Sequence, residues 1–291
     1  MRFASIGECM LELSDQRESR WTMGFAGDAL NTAWYVRALL TDAQVDFVSA
    51  FGDDGFSDQQ RAFLRRAGIG TASSPVIPGA RPGLYAISLD RGERSFTYWR
   101  SDSAARRLAS DPAALEQSLL GCDMVYFTGI TLAILPAPDR ETLFAVLKTA
   151  QAGGARIAFD PNHRPRLWPD DAAARQVYDR AFALADIALP TFEDLGGSTP
   201  EAAARRLREV GVAEVVVKCG ADPAFLLTDA GGGEIPAAHV AAVDTTGAGD
   251  SFCGGYLAGR LAGLSPEQSV RQGHRIAAQV VARHGALIEA S

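Results

Sequence analysis

Lysine is nearly absent from this chain: only Lys148 and Lys218 occur among its 28 basic residues. Cysteine is also sparse, with four residues and no CxxC pair of the kind found in metal or redox motifs. The small number and scattered positions of the cysteines exclude a disulfide-stabilised scaffold and favour a reducing compartment. No zinc-ligand spacing links the four histidines, which are His163, His239, His274 and His284.

Long apolar runs are missing as well. The N-terminal segment MRFASIGECMLELSD turns acidic before it could form the core of a signal peptide, and no apolar stretch approaches a membrane span. We therefore expect a cytoplasmic protein with no membrane partner. The net charge of −7 argues against a general nucleic-acid-binding surface but is compatible with a local phosphate site.

The composition is that of an ordinary globular protein, with 47% hydrophobic and 22% charged residues in a chain of 291. A chain of this length forms one large core with room for a small appendage. Short β-rich runs alternate with stretches of helical spacing, which indicates a mostly parallel sheet with helices on both faces. Strands are predicted at 2–8, 45–51, 123–129, 156–160, 186–190 and 214–220, and helices at 28–40, 57–67, 139–152, 171–184 and 201–210.

Residues 81–102 interrupt this alternation. Two strand-like runs joined by a turn at Asp90–Gly92 predict a hairpin crowded with aromatic side chains, and MLELSD (10–15) is a further strand candidate. We predict one domain over 1–291, with a three-layer α/β/α core and a small β-sheet lid built from about 10–21 and 81–102. The open edge of such a lid favours a homo-oligomer in which a second subunit covers it.

The segment AAVDTTGAGDSFCGGYLAG carries the clearest chemical signal. HVAAVD at 239–244 predicts a strand and 250–264 a helix, so that Gly247, Ala248 and Gly249 fall at the start of the helix. Backbone N–H groups at that point lack intrahelical partners, and small residues let an anion approach them. The segment therefore predicts an anion hole for a phosphate, or for the charge that develops during phosphoryl transfer.

Asp250 directly follows this turn. As a general base it would take the proton of an attacking hydroxyl. The alternative is an ordinary acid in the first turn of a helix, which the helix dipole favours. A GxGxxG motif would need glycine where Phe252 stands, and no GxxxxGK[ST], HRD or DFG run occurs, which excludes the dinucleotide, Walker-type and protein-kinase motifs.

DTTGAGDSFCGGY resembles the second signature of the PfkB, or ribokinase-like, family of carbohydrate kinases, and GFAGDALNTA (24–33) is similar to the first. The similarity extends over essentially the whole chain. Within the family, IGECMLELS, PGLYAISLDRGERSFTYWRSDSAA, TGITLAIL and DPNHRPRLW resemble the 2-keto-3-deoxygluconate kinases. The resemblance implies a ribokinase-like fold and ATP-dependent phosphorylation of 2-keto-3-deoxy-D-gluconate to its 6-phosphate, an Entner–Doudoroff step. A kinase of a neutral sugar such as fructose or ribose, and a sugar-sensing protein without catalysis, are the alternatives.

The resemblance also implies a sugar site. Asp250 would deprotonate the terminal hydroxyl of the sugar. Asp28 would bind the sugar or, alternatively, serve only as a helix N-cap. Tyr85 and Tyr98 on the lid would bind the sugar or, alternatively, take part only in ordinary packing. Arginine suits two-point binding of a keto-acid carboxylate, which a neutral sugar lacks. The predicted sugar-binding residues are Gly27, Asp28, Asn31, Tyr85, Tyr98, Arg100, Arg164 and Asp250.

For ATP, the resemblance implies contacts from Asn162, Arg164, Lys218 and Gly220, together with the turn formed by Gly247, Ala248 and Gly249. The family's Asn-x-x-Glu motif is altered to LPTFEDL, in which Glu193 and Asp194 would act on Mg²⁺ through water. A monovalent cation near Asp244 is left open. His274 is expected on an exposed face of the last helix.

Overall fold

The computed structural model describes residues 1–16, 19–90, 93–237 and 240–288. A central sheet contains β1 (Arg2–Ile6), β4 (Gln44–Val48), β7 (Met124–Thr128), β8 (Arg156–Asp160), β9 (Ile187–Ala188), β10 (Glu214–Val217), β11 (Ala224–Thr228) and β12 (Gly231–Ile235). Its order is β12-β11-β10-β9-β8-β7-β1-β4. The strands from β10 to β4 run parallel, whereas β11 and β12 are antiparallel additions.

Helices cover both faces of this sheet. They are α1 (Asp28–Leu39), α2 (Gly55–Arg66), α3 (Pro112–Leu119), α4 (Gly129–Ile134), α5 (Ala137–Ala152), α6 (Asp171–Leu184), α7 (Phe192–Leu195), α8 (Pro200–Glu209), α9 (Ala248–Leu261) and α10 (Pro266–Val281). Short 3₁₀ turns span Ala104–Arg107 and Pro165–Leu167. Across the described ranges, no helix combines the length and apolar character needed to cross a bilayer.

The strands are apolar on both faces because each face is covered by helices. Along β7, Val125 and Phe127 pack into one hydrophobic layer, whereas Met124 and Tyr126 pack into the other. The predicted three-layer α/β/α arrangement with a mostly parallel sheet is confirmed. Parallel strands also bring their carboxyl ends to one edge of the sheet, where ligands bind in open α/β folds.

A second sheet forms the lid. It contains β2 (Met10–Asp15), β3 (Trp21–Ala26), β5 (Leu84–Asp90) and β6 (Glu93–Trp99), in the order β3-β2-β5-β6. The predicted hairpin strands are present as the antiparallel pair β5–β6, and the predicted strand at 10–15 is β2. Arg91 and Gly92 of the predicted turn, like residues 17–18 of the predicted lid range, lie outside the described residues.

The lid also contains a strand that the sequence did not predict. β3 pairs with β2 in antiparallel register and extends the lid sheet beyond the predicted range of 10–21. Its sequence, WTMGFA, gives a weak local signal because Gly24 interrupts a short run. Pairing with β2, rather than local propensity, makes this segment a strand.

The strand predicted at 239–244 is wrong for its described part. Residues 240–244 form no strand, and His239 lies outside the described residues. The backbone N–H groups of Val243 and Asp244 instead donate to the carbonyl oxygen of Val281, at 2.7 and 3.1 Å. This stretch is thus bonded to the end of α10 and enters α9 as a loop.

Helix α9 lies between α1 and α10 at unusually close range. A Cβ atom placed on Gly254 would lie 2.6 Å from the Cβ of Tyr35 in α1. A Cβ atom on Gly255 would lie 2.9 Å from the Cα of Gly273 in α10. Glycine at these two positions therefore permits the close packing of the three helices.

Replacing Gly254 by alanine should lower the free energy of unfolding by about 1–2 kcal/mol, because overpacking of the α1 interface outweighs the better helix propensity of alanine. Urea unfolding followed by circular dichroism would show this as a lower midpoint with an unchanged slope. Gly55→Ala is the matched control, since no atom lies within 4 Å of its added Cβ. Equal midpoints for the two variants would contradict the packing argument.

Candidate functional site

The anion turn, residues 247–249, begins α9 without a side-chain cap. Gly247 is the N-cap residue and has φ +75°, a left-handed conformation that favours glycine. A Cβ atom on Gly247 would also lie 2.8 Å from the Cβ of Ala286. The helix start therefore carries no capping side chain, and the N–H of Ala248 donates to the Thr245 carbonyl oxygen at 3.2 Å. A helix start without a side-chain cap is the kind of site at which anions bind.

The approach to this turn is held by Asp244. Its Oδ1 accepts hydrogen bonds from the backbone N–H and the hydroxyl of Thr246, at 3.0 and 2.7 Å. Its Oδ2 accepts from the N–H of Gly285 at 3.0 Å. The buried Asp244 carboxylate thus ties the start of the turn to the segment that follows α10.

Asp250 faces the start of α1 across this turn. Asn31 Nδ2 donates to Asp250 Oδ2 at 2.8 Å, and the hydroxyl of Thr32 donates to the Asp250 carbonyl oxygen at 3.2 Å. Burial, followed by the charge of Asp28, raises the pKa of Asp250 to about 7, whereas the Asn31 hydrogen bond and the charge of Lys218 lower it. A carboxylate with this pKa exchanges protons near neutral pH, a property that suits a general base.

The predicted sugar-binding stretch lies at the start of α1. Gly27 is the N-cap, and a Cβ atom there would lie 2.1 Å from the carbonyl oxygen of Glu8. Asp28 is the first helical residue, so its alternative role as the N-cap is wrong. Its Oδ2 instead accepts a hydrogen bond from Asn162 Nδ2 at 2.8 Å. The structure thereby brings the β8 end and α1 together.

The end of β8 supplies the next group of side chains. Asn162 has φ +34°, and its N–H donates to Asp160 Oδ1 at 3.0 Å. Arg164 is exposed and donates to the carbonyl oxygen of His163 at 3.1 Å, so its guanidinium lies at the rim of the site. Of the predicted residues in this loop, Asn162 is held inside and Arg164 is available to a ligand.

Lys218 is buried at the end of β10. Its Nζ lies 2.5 Å from Asp160 Oδ2 and 3.4 Å from Cys253 Sγ. Gly220, two residues later, has φ +62° and is exposed. The structure therefore places Gly220 on the surface and Lys218 beneath it. Asp160 was missed by the sequence analysis, although a polar residue ending an apolar strand is the same signal that singled out Lys218.

Asp194 and Glu193, the two acids predicted to act on magnesium, lie in different surroundings. The Asp194 carboxylate accepts a hydrogen bond from the N–H of His163, and burial together with the charge of Asp160 raises its pKa to about 6. Glu193 is exposed and its charge acts on Cys219. Within the described ranges, no group of three or more His, Cys, Asp or Glu side chains could hold a metal by itself.

On the lid, Tyr85 and Tyr98 are register partners with ring centroids 5.7 Å apart. The hydroxyl of Tyr85 donates to Glu12, and burial, followed by the charge of Glu12, raises its pKa well above the ordinary value. Arg100 forms a buried ion pair with Glu8 at the base of the lid. Glu8 and Glu12 were not singled out from the sequence, because neither stands in a recognisable motif.

A groove of about 600 Å³ lies beside α10. It is lined by Pro236, Val240, Arg271, His274, Arg275, Ala278, Gln279, Ala282 and Arg283. The expectation that His274 is exposed is wrong: its side chain packs edge-on against Phe252 at 5.1 Å, and its Nε2 lies 3.1 Å from the Ile235 carbonyl oxygen. Burial lowers the pKa of His274.

The family model described as pfkB family carbohydrate kinase matches residues 2–290. A 2-dehydro-3-deoxygluconokinase from Dickeya dadantii (strain 3937) is 42% identical, over 98% of this chain and 96% of that protein. A PfkB protein from Polaromonas sp. JS666 has a similar crystal structure, with a TM-score of 0.86 and 27% identity over 96% of this chain and 94% of the other.

A further similar structure is that of a putative ribokinase II from E. coli in complex with ATP and Mg²⁺. Its TM-score is 0.84 and its identity 25%, over 98% of this chain and 94% of the other. The match of the family model over nearly the whole chain agrees with the uncapped anion turn, the neighbouring acid and the lid. The chain belongs to the pfkB family of carbohydrate kinases.

Proposed function

We propose that this protein phosphorylates 2-keto-3-deoxy-D-gluconate, also called 2-dehydro-3-deoxygluconate, at its 6-hydroxyl with ATP. The observation that carries the proposal is the position of Asp250 beside the bare anion turn, held by Asn31 at 2.8 Å. The relative named as a kinase of this sugar acid supports the choice of substrate.

In the proposed reaction, Asp250 takes the proton of the 6-hydroxyl as its oxygen attacks the γ-phosphorus of ATP. The bond from the γ-phosphorus to the β,γ-bridging oxygen breaks, and ADP leaves. Backbone N–H groups of Gly247, Ala248 and Gly249 stabilise the negative charge of the phosphoryl group in transit, with the N–H of Ala248 shared between this group and the Thr245 carbonyl oxygen. Closure of the lid excludes water, which would otherwise compete with the sugar as acceptor.

The proposed sugar site lies between the start of α1 and the inner face of the lid. Gly27, Asp28, Asn31 and Asp250 serve the hydroxyl end, because they lie around the anion turn. Tyr85, Tyr98 and Arg100 cover the sugar from the lid, since alternate residues of a strand share a face. Arg164 completes the set from the rim, and it and Arg100 would bind the carboxylate.

For the nucleotide, we propose that the anion turn, Asn162, Arg164, Lys218 and Gly220 serve the phosphates and that the groove beside α10 takes the base. Magnesium suits this site only through water and phosphate oxygens: Asp194 faces the β8 loop, whereas Glu193 lies farther out. When bound, the ion would offset phosphate charge. A monovalent cation beside the buried Asp244 also belongs to this proposal.

We also propose a cytoplasmic homo-oligomer that is formed through the lid. The face opposite Tyr85 and Tyr98 carries a groove of about 550 Å³. Trp21 and Trp99 on this face are 46% and 59% exposed and line the same groove, and contiguous exposed apolar surface of this kind marks interaction sites. The groove residues are Leu13, Trp21, Leu84, Ala86, Ser88, Thr97 and Trp99. A second copy of the lid would cover this apolar face and the open sheet edges.

Asp250→Asn should reduce kcat with the sugar acid by about 100-fold or more, because the base that accepts the hydroxyl proton is lost. Wild-type kcat should fall as the pH drops through about 7, where the Asp250 carboxylate becomes protonated. A coupled ADP assay over pH 5.5–8.5 measures both effects, on the order of one decade per pH unit below the pKa.

The matched control for Asp250→Asn is Glu267→Gln, which alters an exposed acid in the first turn of α10. If Asp250 were only a helix-dipole residue, the two variants would lose equally little activity. Near-wild-type turnover of folded Asp250→Asn would refute the role of Asp250 as the base.

The substrate panel should show much higher kcat/KM for 2-keto-3-deoxygluconate than for fructose or ribose. Arg164→Ala should raise KM for the sugar acid by about 10- to 100-fold, the effect of losing one charged hydrogen bond. Arg100→Ala should raise KM by at least as much, because it also leaves the buried Glu8 carboxylate without its partner. Arg166→Ala, an exposed neighbour in the same loop, is the control and should leave KM unchanged. Preference for a neutral sugar would overturn the substrate assignment.

Trp21→Glu should convert the oligomer to a monomer in light scattering coupled to size exclusion, because a charge replaces an apolar contact in the groove. Val210→Glu is the control, since Val210 is a similarly exposed apolar residue at the end of α8. Two results would contradict oligomerisation through this face. One is a wild-type protein that is monomeric at micromolar concentration, and the other is a Trp21→Glu variant whose assembly has the same molar mass in solution as that of the wild type.

A further inference from the structure

Lys218 lies under the anion turn and is shielded from solvent. The residue is 7% exposed, and Nζ contacts Asp160 Oδ2 at 2.5 Å. A Cβ atom placed on Gly249 would lie 3.7 Å from the same Nζ. Gly249 itself is exposed. The ammonium group therefore stands beside the second glycine of the turn, below the surface that the turn offers to a ligand.

The partner of Lys218 is equally enclosed. Asp160 is 1% exposed, and its other oxygen, Oδ1, accepts the N–H of Asn162 at 3.0 Å. Burial alone would lower the pKa of Lys218, but the charge of Asp160 and of neighbouring acids raises it above the ordinary value, so the ammonium form persists. Removing one member of such a pair leaves the other as an uncompensated buried charge.

The charges of this pair also act on Asp250. The charged groups that act on it are Asp28 from α1, Asp160 from β8 and Lys218 from β10, and Asn31 adds a hydrogen bond. The two carboxylates oppose its ionisation, whereas Lys218 favours it. ATP would bring further negative charge to the same site. The positive charge of Lys218 would therefore act on both Asp250 and the nucleotide.

We propose that Lys218 is a positioning residue for phosphoryl transfer. It neutralises Asp160 and supplies positive charge beneath the anion turn, next to Gly249, the residue that precedes Asp250. The inference rests on the proposed kinase activity and gives Lys218 a role that needs no direct contact with ATP. Without Lys218, the Asp160 carboxylate would stand unpaired next to the incoming phosphates and to the base.

Four variants test this role: Lys218→Met, Lys218→Arg, Asp160→Asn and the double variant Lys218→Met/Asp160→Asn. Lys148→Met is the matched control, because Lys148 is the other lysine of the chain and is exposed on α5. Each variant is assayed as a full chain with the best sugar substrate of the wild type. The readouts are KM for ATP, kcat from pH 5.5 to 8.5, and ATP binding by calorimetry.

Lys218→Met should lower kcat/KM for ATP by about 100-fold and move the acidic limb of kcat to higher pH by about one unit, because Asp250 loses a favourable charge. Asp160→Asn should move that limb to lower pH, because an opposing charge is removed. The double variant should recover most of the kcat/KM for ATP that Lys218→Met loses, because the double variant buries no unpaired charge. Lys218→Arg should retain more activity than Lys218→Met, and Lys148→Met should match the wild type.

An unmoved acidic limb in both single variants, or losses that simply add in the double variant, would overturn the role of Lys218. If Lys218→Met does not fold, the double variant decides: its acidic limb of kcat should lie at higher pH than that of Asp160→Asn, because the two differ only in the Lys218 charge, and equal limbs contradict the proposal. A failure of the proposed function is separate: the wild type would then phosphorylate no sugar acid. In that case ATP binding decides, with about tenfold weakening in Lys218→Met and recovery in the double variant expected.

Discussion

The bare start of α9 is the constraint on which the rest of the structure depends. A helix that begins without a capping side chain leaves N–H groups to be satisfied by solvent or by a ligand, which costs stability in the absence of the ligand. The surrounding structure must therefore hold α9 in place by other means. Asp244 fixes the approach to the turn, and Gly254 and Gly255 allow close packing on α1 and α10.

Charge balance is the second requirement at this corner. Asp28, Asp160 and Asp250 converge where an anionic nucleotide is proposed to bind, so repulsion must be offset locally. Hydrogen bonds from Asn162 and Asn31 hold Asp28 and Asp250, and the Lys218 ammonium pairs with Asp160. The outcome is an aspartate with a pKa of about 7, well above that of an aspartate in water.

The lid has two faces of different chemistry because strand residues alternate in direction. Tyr85 and Tyr98 lie on one face, and Trp21 and Trp99 lie on the other. The ion pair of Glu8 and Arg100 joins the base of this lid to the segment that leaves β1. A single small sheet thus provides both the proposed cover for the sugar and the proposed contact with a second subunit.

Local patterns predicted the core well. Apolar runs placed the parallel strands, and small residues ahead of Asp250 placed the start of α9, because both signals are local along the chain. The strand expected at 239–244 failed because a contact with α10, remote in sequence, satisfies its backbone. Strand β3 was missed for the converse reason, since only pairing with β2 makes it a strand.

The sequence by itself determined the fold class and the residue types of the proposed site: small residues at a helix start, an acid beside them, and arginines proposed to bind a carboxylate. Tertiary structure alone decided which charges meet. Lys218 and Asp160 are 58 residues apart in the sequence, and Asn31 and Asp250 are 219 residues apart, so that no local pattern links either pair. Parallel strands bring their carboxyl ends to one edge of the sheet, whatever their separation along the chain. Burial at that edge sets the strength of the electrostatic interactions between the charged side chains.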